Sequence, residues 1–139
     1  KGMNSHNHAM YASIGSWFYK YLAGIKLPDS SVGFSDIIIE PIFPTGLDWV
    51  KVELDTIKGK VLVSWVKQSN SILLKINLPI GSNCDLRLPL SDNDFHKFKE
   101  SGIRLEKVPK SRIQGITQNG NKLTLKIESG NYDFDIKHK

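Results

Sequence analysis

The sequence predicts an all-β chain, an antiparallel β-sandwich preceded by one α-helix. Three observations point there. From residue 34 onward, apolar and polar residues alternate with period two in one segment after another, as strands with one packed and one wet face require. Clusters of glycine, proline and asparagine separate these segments by about two to five residues, the spacing of hairpin turns. Before residue 27, by contrast, "SHNHAMYASIGSWFYKYLAGI" carries its apolar groups at helical spacing. A chain of 139 residues has room for one domain with an appendage, and 40% hydrophobic with 24% charged residues is an ordinary folded composition. No apolar run approaches the ~20 residues of a membrane span.

Taken in order, Met10 to Ala23 form the helix, and Gly24 is placed to end it in a left-handed cap. Met10, Tyr11, Ile14, Trp17, Phe18, Tyr21 and Leu22 spread too widely around it for one narrow stripe, so it needs covering on more than one side. Gly15, with Ala12, Ser13 and Ser16, leaves a notch for another backbone. The outward positions of the predicted strands are Lys, Glu, Asp and Thr, which cannot supply that cover. The helix therefore belongs with a helical body that this chain mostly lacks, and residues 1–27 divide from a sandwich domain at residues 34–139.

After the polar connector "KLPDSSVGFSD", "IIIEPIFP" reads as a short buried strand closed by prolines, and "WVKVELDT" sets Val50, Val52 and Leu54 against Lys51, Glu53 and Asp55. "KVLVSWVK" and "SILLKINLP" repeat the pattern, with "CDLRLPL" following behind the turn "IGSN". In "SDNDFHKFKESG", Ser91 or Asp92 caps a helical turn or two that Gly102 stops. "ITQNGNKLTLKIESGNYDFDI" closes the chain as a hairpin, with Asn119 and Gly120 suited to a type I′ turn. Seven to nine strands result.

Candidate chemistry is sparse. His6 and His8, two apart, have no third ligand at a zinc-binding spacing, so no metal is expected. "SDNDF" lacks the ligand spacing and closing glutamate of a calcium loop. Glycoside hydrolysis needs two carboxyls about 5 to 9.5 Å apart, and Glu40, Glu53, Glu100, Glu106 and Glu128 name no pair. Cys84 falls on the apolar side of its strand, as a small buried hydrophobe would. The tryptophans could form a sugar platform if exposed, but Trp17 and Trp65 read as core residues, and Trp49 is the least determined of the three. The net charge of +5 raises a nucleic-acid partner, but the lysines stand singly among apolar or acidic residues, as solvated strand faces do.

The ordered set "NHAMYASIGSWFYKYLAGI", "GFSDIIIEP", "GKVLVSW", "INLPIGSNCDLRLP" and "IESGNYDF" resembles the C-terminal region of bacterial α-L-rhamnosidases, glycoside hydrolase family 78, over nearly the whole chain. The resemblance implies that residues 1–27 are the last helix of an (α/α)6 catalytic barrel and the rest a C-terminal β-sandwich. It implies an inverting hydrolase of terminal α-L-rhamnosyl residues whose acid and base lie upstream of Lys1, so no catalytic residue is expected in this chain. By match to the family's Asn-His pair, His8 is the residue implied to contact rhamnose. The implied partners are rhamnose-containing glycans, reached through the parent enzyme, and the missing barrel itself. No cofactor is implied. Opening on Lys1 and Gly2, the chain reads as a piece of something longer. Two departures from the family stand out, Ser16 in place of a usual glutamate and a long link from Ser91 to Ile113. A separate carbohydrate-binding sandwich is the alternative.

Overall fold

The computed structural model describes residues 18–29, 31–90 and 95–137. Nine strands are present among them: β1 (Ile25–Lys26), β2 (Asp36–Ile39), β3 (Trp49–Thr56), β4 (Gly59–Lys67), β5 (Ser71–Pro89), β6 (Lys99–Glu100), β7 (Ile103–Arg104), β8 (Ile113–Asn119) and β9 (Lys122–Lys137). All nine join a single open hydrogen-bonded sheet, where the sequence predicts two stacked sheets. The reason lies in β5 and β9. Each is long enough to run through both halves of the sheet, pairing antiparallel from Ser71↔Lys137 to Pro89↔Lys122.

What the sequence divides into two strands around "IGSN" is therefore one strand with a bend. Between the pairs Leu78↔Gly130 and Asn83↔Glu128, residues 79–82 of β5 stand against Ser129 alone. Pro79 has no N–H for a ladder bond, and Gly81 and Gly130 take positive φ of 79° and 143°. Before the bend the strand order is β3-β4-β5-β9-β6-β7. Beyond it, β2 and β1 lie on one side of β5 and β8 lies on the outer side of β9. The pairing of β2 with β5, from Asp36↔Asn83 to Ile39↔Leu86, is parallel, so the sheet is mixed.

Period-two alternation survives intact. On one face the ladder aligns Val50, Trp65, Leu74 and Phe134, and past the bend Ile39, Leu86 and Leu125. All are buried, and both halves contribute to one core. At roughly 1.5–3 kcal/mol per buried large apolar side chain, this face supplies most of the drive to fold. Trp65 and Cys84 are buried as the alternation predicts, and burial pushes the Cys84 thiol far up, which keeps it inert.

Two turns differ from expectation. Asn119 pairs with Lys122, so Gly120 and Asn121 are the central residues, and only Gly120 (φ 56°) is left-handed. That excludes a type I′ turn, which needs positive φ twice, and leaves the glycine-first pattern of type II′. Gly102 ends no helix. With Ser101 (φ 49°) it makes the tight β6–β7 turn, both residues left-handed. The predicted helical turns reduce to a 3-10 turn at Phe95–Lys97 and a second at Leu105–Lys107, while Ser91 and Asp92 lie outside the described residues.

The long link is held by chemistry that the linear pattern hides. Phe98, Leu105 and Val108 fill the core edge, and Glu100, at 1% exposure, faces inward beside Phe134. Arg112 forks onto it, Nε to Oε2 at 3.1 Å and Nη2 to Oε1 at 2.6 Å, and also donates to the Asn131 carbonyl at 2.6 Å. Ser101 Oγ adds a third donor at 2.6 Å, and the guanidinium lies 4.8 Å over the Tyr132 ring. Burial pushes the Glu100 carboxyl up, but the hydrogen bonds from Arg112 and Ser101 outweigh it, and its pKa lies below the ordinary value.

A folded-state pKa below the unfolded one contributes stability that is complete above the unfolded value and is lost as pH falls through the folded one. Denaturant midpoints should therefore drop on acidification below about pH 4.3, the reference for Glu. Glu100→Gln should remove part of that acid dependence while lowering stability at neutral pH by roughly 2 kcal/mol, since Arg112 loses its partner. An acid limb unchanged in the variant would mean that the pair does not govern it.

Candidate functional site

The surface with most to offer lies where the chain enters the sheet. Phe18–Leu22 is a single π-wound turn, and it is the only described piece of the predicted helix; Met10 to Trp17, with His6 and His8, lie outside the described residues. Gly24 does end the turn in the left-handed region, at φ 70°. Its place is fixed by contact as well as by torsion. A Cβ there would lie 1.9 Å from the Glu40 carbonyl oxygen, and the Glu40 N–H donates to the Gly24 carbonyl at 2.9 Å. Trp65 completes the anchor, its indole N–H reaching the Leu22 carbonyl at 3.3 Å while Phe43 meets its ring edge-on at 5.3 Å.

Leu22 and Ala23 are thereby driven into the core, and apolar clefts open on both sides of the turn. One, of about 530 Å³, is lined by Leu22, Leu47, Val50, Val52 and Trp49 along the free edge of β3. The other, of about 660 Å³, is lined by Tyr21, Ile25, Leu27, Phe34 and Leu54. Trp49 is 64% exposed, Tyr21 55% and Leu27 45%. Large apolar groups left in water this close together mark an interaction surface.

The five candidate glutamates are occupied. Glu40 takes hydrogen bonds from Lys122 and, at 3.1 Å, from Lys26, with Arg87 at 3.9 Å. The Lys122 bond, working against burial and aided by Lys26, holds its pKa below the ordinary value. Glu53 is lowered in the same way by Lys60 and Lys51. With Glu100 on Arg112, three of the five candidate glutamates are shifted away from the direction a general acid needs. Glu106 contacts His96, and Glu128 accepts from Gln114. Among the described residues no group of three His, Cys, Asp or Glu side chains could hold a metal. Lysines are distributed over both halves of the sheet, with Lys26, Lys60, Lys75, Lys122 and Lys137 each against a carboxylate.

Residues 24–102 match the family described as the bacterial alpha-L-rhamnosidase C-terminal domain. The chain belongs to that family. An alpha-L-rhamnosidase of Formosa agariphila is 26% identical over 136 residues, 98% of this chain but 14% of its own length. Another from Alteromonas sp. is 32% identical over 91 residues, 64% of this chain and 10% of that one. The solved alpha-L-rhamnosidase of Dictyoglumus thermophilum superposes with a TM-score of 0.77 at 30% identity, over 99% of this chain and 15% of that chain. The Streptomyces avermitilis enzyme, solved with L-rhamnose, shares the fold at a TM-score of 0.74 and 21% identity. This rhamnosidase C-terminal domain thus spans about one-seventh of the length of the relatives it matches.

The matched region begins at Gly24, where a Cβ would meet the Glu40 backbone. In the rhamnosidase domain the clefts beside Phe18–Leu22 were only half legible in advance. The broad apolar spread of the helix signalled a need for cover, but Trp49 and Leu27 show no periodicity linking them to it. The Glu100–Arg112 pair was missed, because in the sequence both read as solvated charges.

Gly24→Ala should destabilise the chain by at least ~2 kcal/mol, combining left-handed strain with the clash at Glu40. Urea unfolding measures this, and a loss below ~0.5 kcal/mol would show that the contact relaxes freely.

Proposed function

We propose that this chain is the non-catalytic C-terminal domain of an inverting α-L-rhamnosidase, and that residues 1–27 carry, ahead of Gly24, the last helix of that enzyme's (α/α)6 catalytic barrel. The β-sheet domain, residues 34–139, then docks on the barrel through the two apolar clefts beside Phe18–Leu22. The observation that carries the reading is the coincidence of two facts. The chain aligns over 98% of its length with 14% of the Formosa agariphila relative and over 99% with 15% of the Dictyoglumus thermophilum one, and two apolar clefts that hold the exposed Trp49, Tyr21 and Leu27 flank Phe18–Leu22.

The substrate of the parent enzyme, on this reading, is a rhamnose-containing glycan or glycoside, and the acid and base belong to the barrel. The paired state of Glu40, Glu53 and Glu100 supports a domain without chemistry of its own. His8 contributes from the barrel side, where its imidazole can donate to or accept from a sugar hydroxyl. Pairing of lysines with carboxylates supports the absence of a nucleic-acid partner. No described helix is long and apolar enough to cross a membrane.

A separate carbohydrate-binding module is the second reading, and the exposed Trp49 favours it. Trp65, the other tryptophan such a platform would use, is wholly buried, and Trp49 lies in the cleft beside Leu22.

In the parent enzyme, His8→Ala should raise KM for an aryl α-L-rhamnoside at least tenfold, the loss of a hydrogen bond or two to the sugar. Unchanged kinetics would remove His8 from the site. Trp49→Ala should leave the unfolding free energy of this chain within ~0.5 kcal/mol, as surface substitutions do. The same change should lower the thermal midpoint of the parent enzyme by several degrees in calorimetry, and an unaltered parent would argue against docking through this cleft.

A further inference from the structure

On the outward face of the sheet beyond the bend, far from any role given it above, lies a polar groove of about 710 Å³. Its charged lining comes from Asp36, Asp85, Arg87, Lys126 and Glu128, with the amides of Asn83 and Gln114 beside them and Pro28 also lining it. We infer that this groove is a binding site for a neutral oligosaccharide, held by hydrogen bonds from Arg87 and Lys126 and to Asp85.

The argument is one of unspent hydrogen-bonding capacity. Asp85 and Lys126 are directly opposite each other across the β5–β9 ladder, yet among the described residues neither side chain has a hydrogen bond or ion pair. Directly opposite residues of an antiparallel pair have Cβ atoms about 5 Å apart, so a ligand between the two side chains would meet a donor and an acceptor together. Arg87 comes no nearer than 3.9 Å to Glu40, beyond hydrogen-bond distance, because Lys26 and Lys122 already occupy that carboxylate. The flanking groups are committed, Asp36 to Asn83 at 3.4 Å and Glu128 to Gln114. A fixed rim therefore surrounds a floor with a carboxylate acceptor between two cationic donors.

That alternation fits a polyol. Each sugar hydroxyl both donates and accepts, so vicinal hydroxyls are best met by adjacent acceptor and donor groups. Three carboxylates against two cations give the groove no net positive charge, which disfavours a phosphate, a sulfate or a nucleic-acid backbone. No aromatic ring lines it, so binding rests on hydrogen bonds in competition with water, and a millimolar affinity is expected. The inference rests on the rhamnosidase reading only for the choice of first probe. On that reading, the groove would hold the glycan on this domain while the barrel acts on its end.

Amide-resolved NMR of the 139-residue chain, titrated with rutinose, a neutral disaccharide ending in α-L-rhamnose, and separately with maltose and with inorganic sulfate, tests it. Saturable shifts confined to residues 36–38, 83–87, 114 and 126–128 with either sugar support the site. Asp85→Asn and Lys126→Ala, each checked for an unchanged unfolding midpoint, should each weaken the binding about tenfold. Absence of saturation by both sugars, saturation by sulfate alone, or shifts centred on Trp49 instead would overturn it. Rhamnoside turnover by the parent enzyme without sugar binding in the groove would sink this inference and leave the proposed function standing. Maltose binding here, with no rhamnoside turnover by the parent, would do the reverse.

Discussion

Everything in this domain hangs on the continuous pairing of β5 with β9. From Ser71↔Lys137 to Pro89↔Lys122 these two strands carry the ladder through both halves of the sheet, interrupted once at residues 79–82. Remove that continuity and β4 with β3 on one side, and β2 with β1 on the other, have no common partner. The bend is a consequence of local chemistry, a proline that cannot donate and two glycines that accept left-handed backbone. One continuous pair of strands thereby places apolar residues from both halves in a single core.

Because the core is shared, surface features are set by distance from it. The π turn at Phe18–Leu22 is pinned by Trp65 and by the Gly24–Glu40 contact, and this pinning leaves apolar clefts on its flanks. The Ser91–Ile113 link is drawn in by Phe98, Leu105 and Val108, then locked by a carboxylate that could not be buried without Arg112. Glu40 is half of a similar arrangement on the outward face, and by taking hydrogen bonds from Lys26 and Lys122 it holds Arg87 only by a 3.9 Å ion pair. Charged residues that look interchangeable in the linear chain thus have different fates, decided by which neighbours reach them first.

The positions of β2 to β5, β8 and β9, the burial of Trp65 and Cys84, and the left-handed Gly24 are legible because period-two alternation and glycine placement are local signals, whereas the two-residue strands β1, β6 and β7 are too short to show a period. Glycine-marked turns are less fully specified. "IGSN" reads as a turn between strands because glycine marks a departure from ordinary backbone without saying whether the chain reverses or only bends, and at Asn119–Gly120 the hairpin is present but its centre lies one residue further on. Ser101 illustrates the converse, a left-handed residue that is not glycine and so gave no sign of the β6–β7 turn.

The sequence by itself determined that this is a β-rich domain with its apolar face assigned residue by residue, and its motifs resembled the rhamnosidase C-terminal region to which the chain belongs. Tertiary structure alone decided that the sheet is one and not two, that β2 runs parallel to β5, that Glu100 is buried on Arg112, and that Asp85, Arg87 and Lys126 share a groove. The physical reason is range. Alternation and turn propensity act over a few residues, whereas register, ion pairing and the shape of a groove depend on residues 12 to 82 positions apart meeting across the sheet.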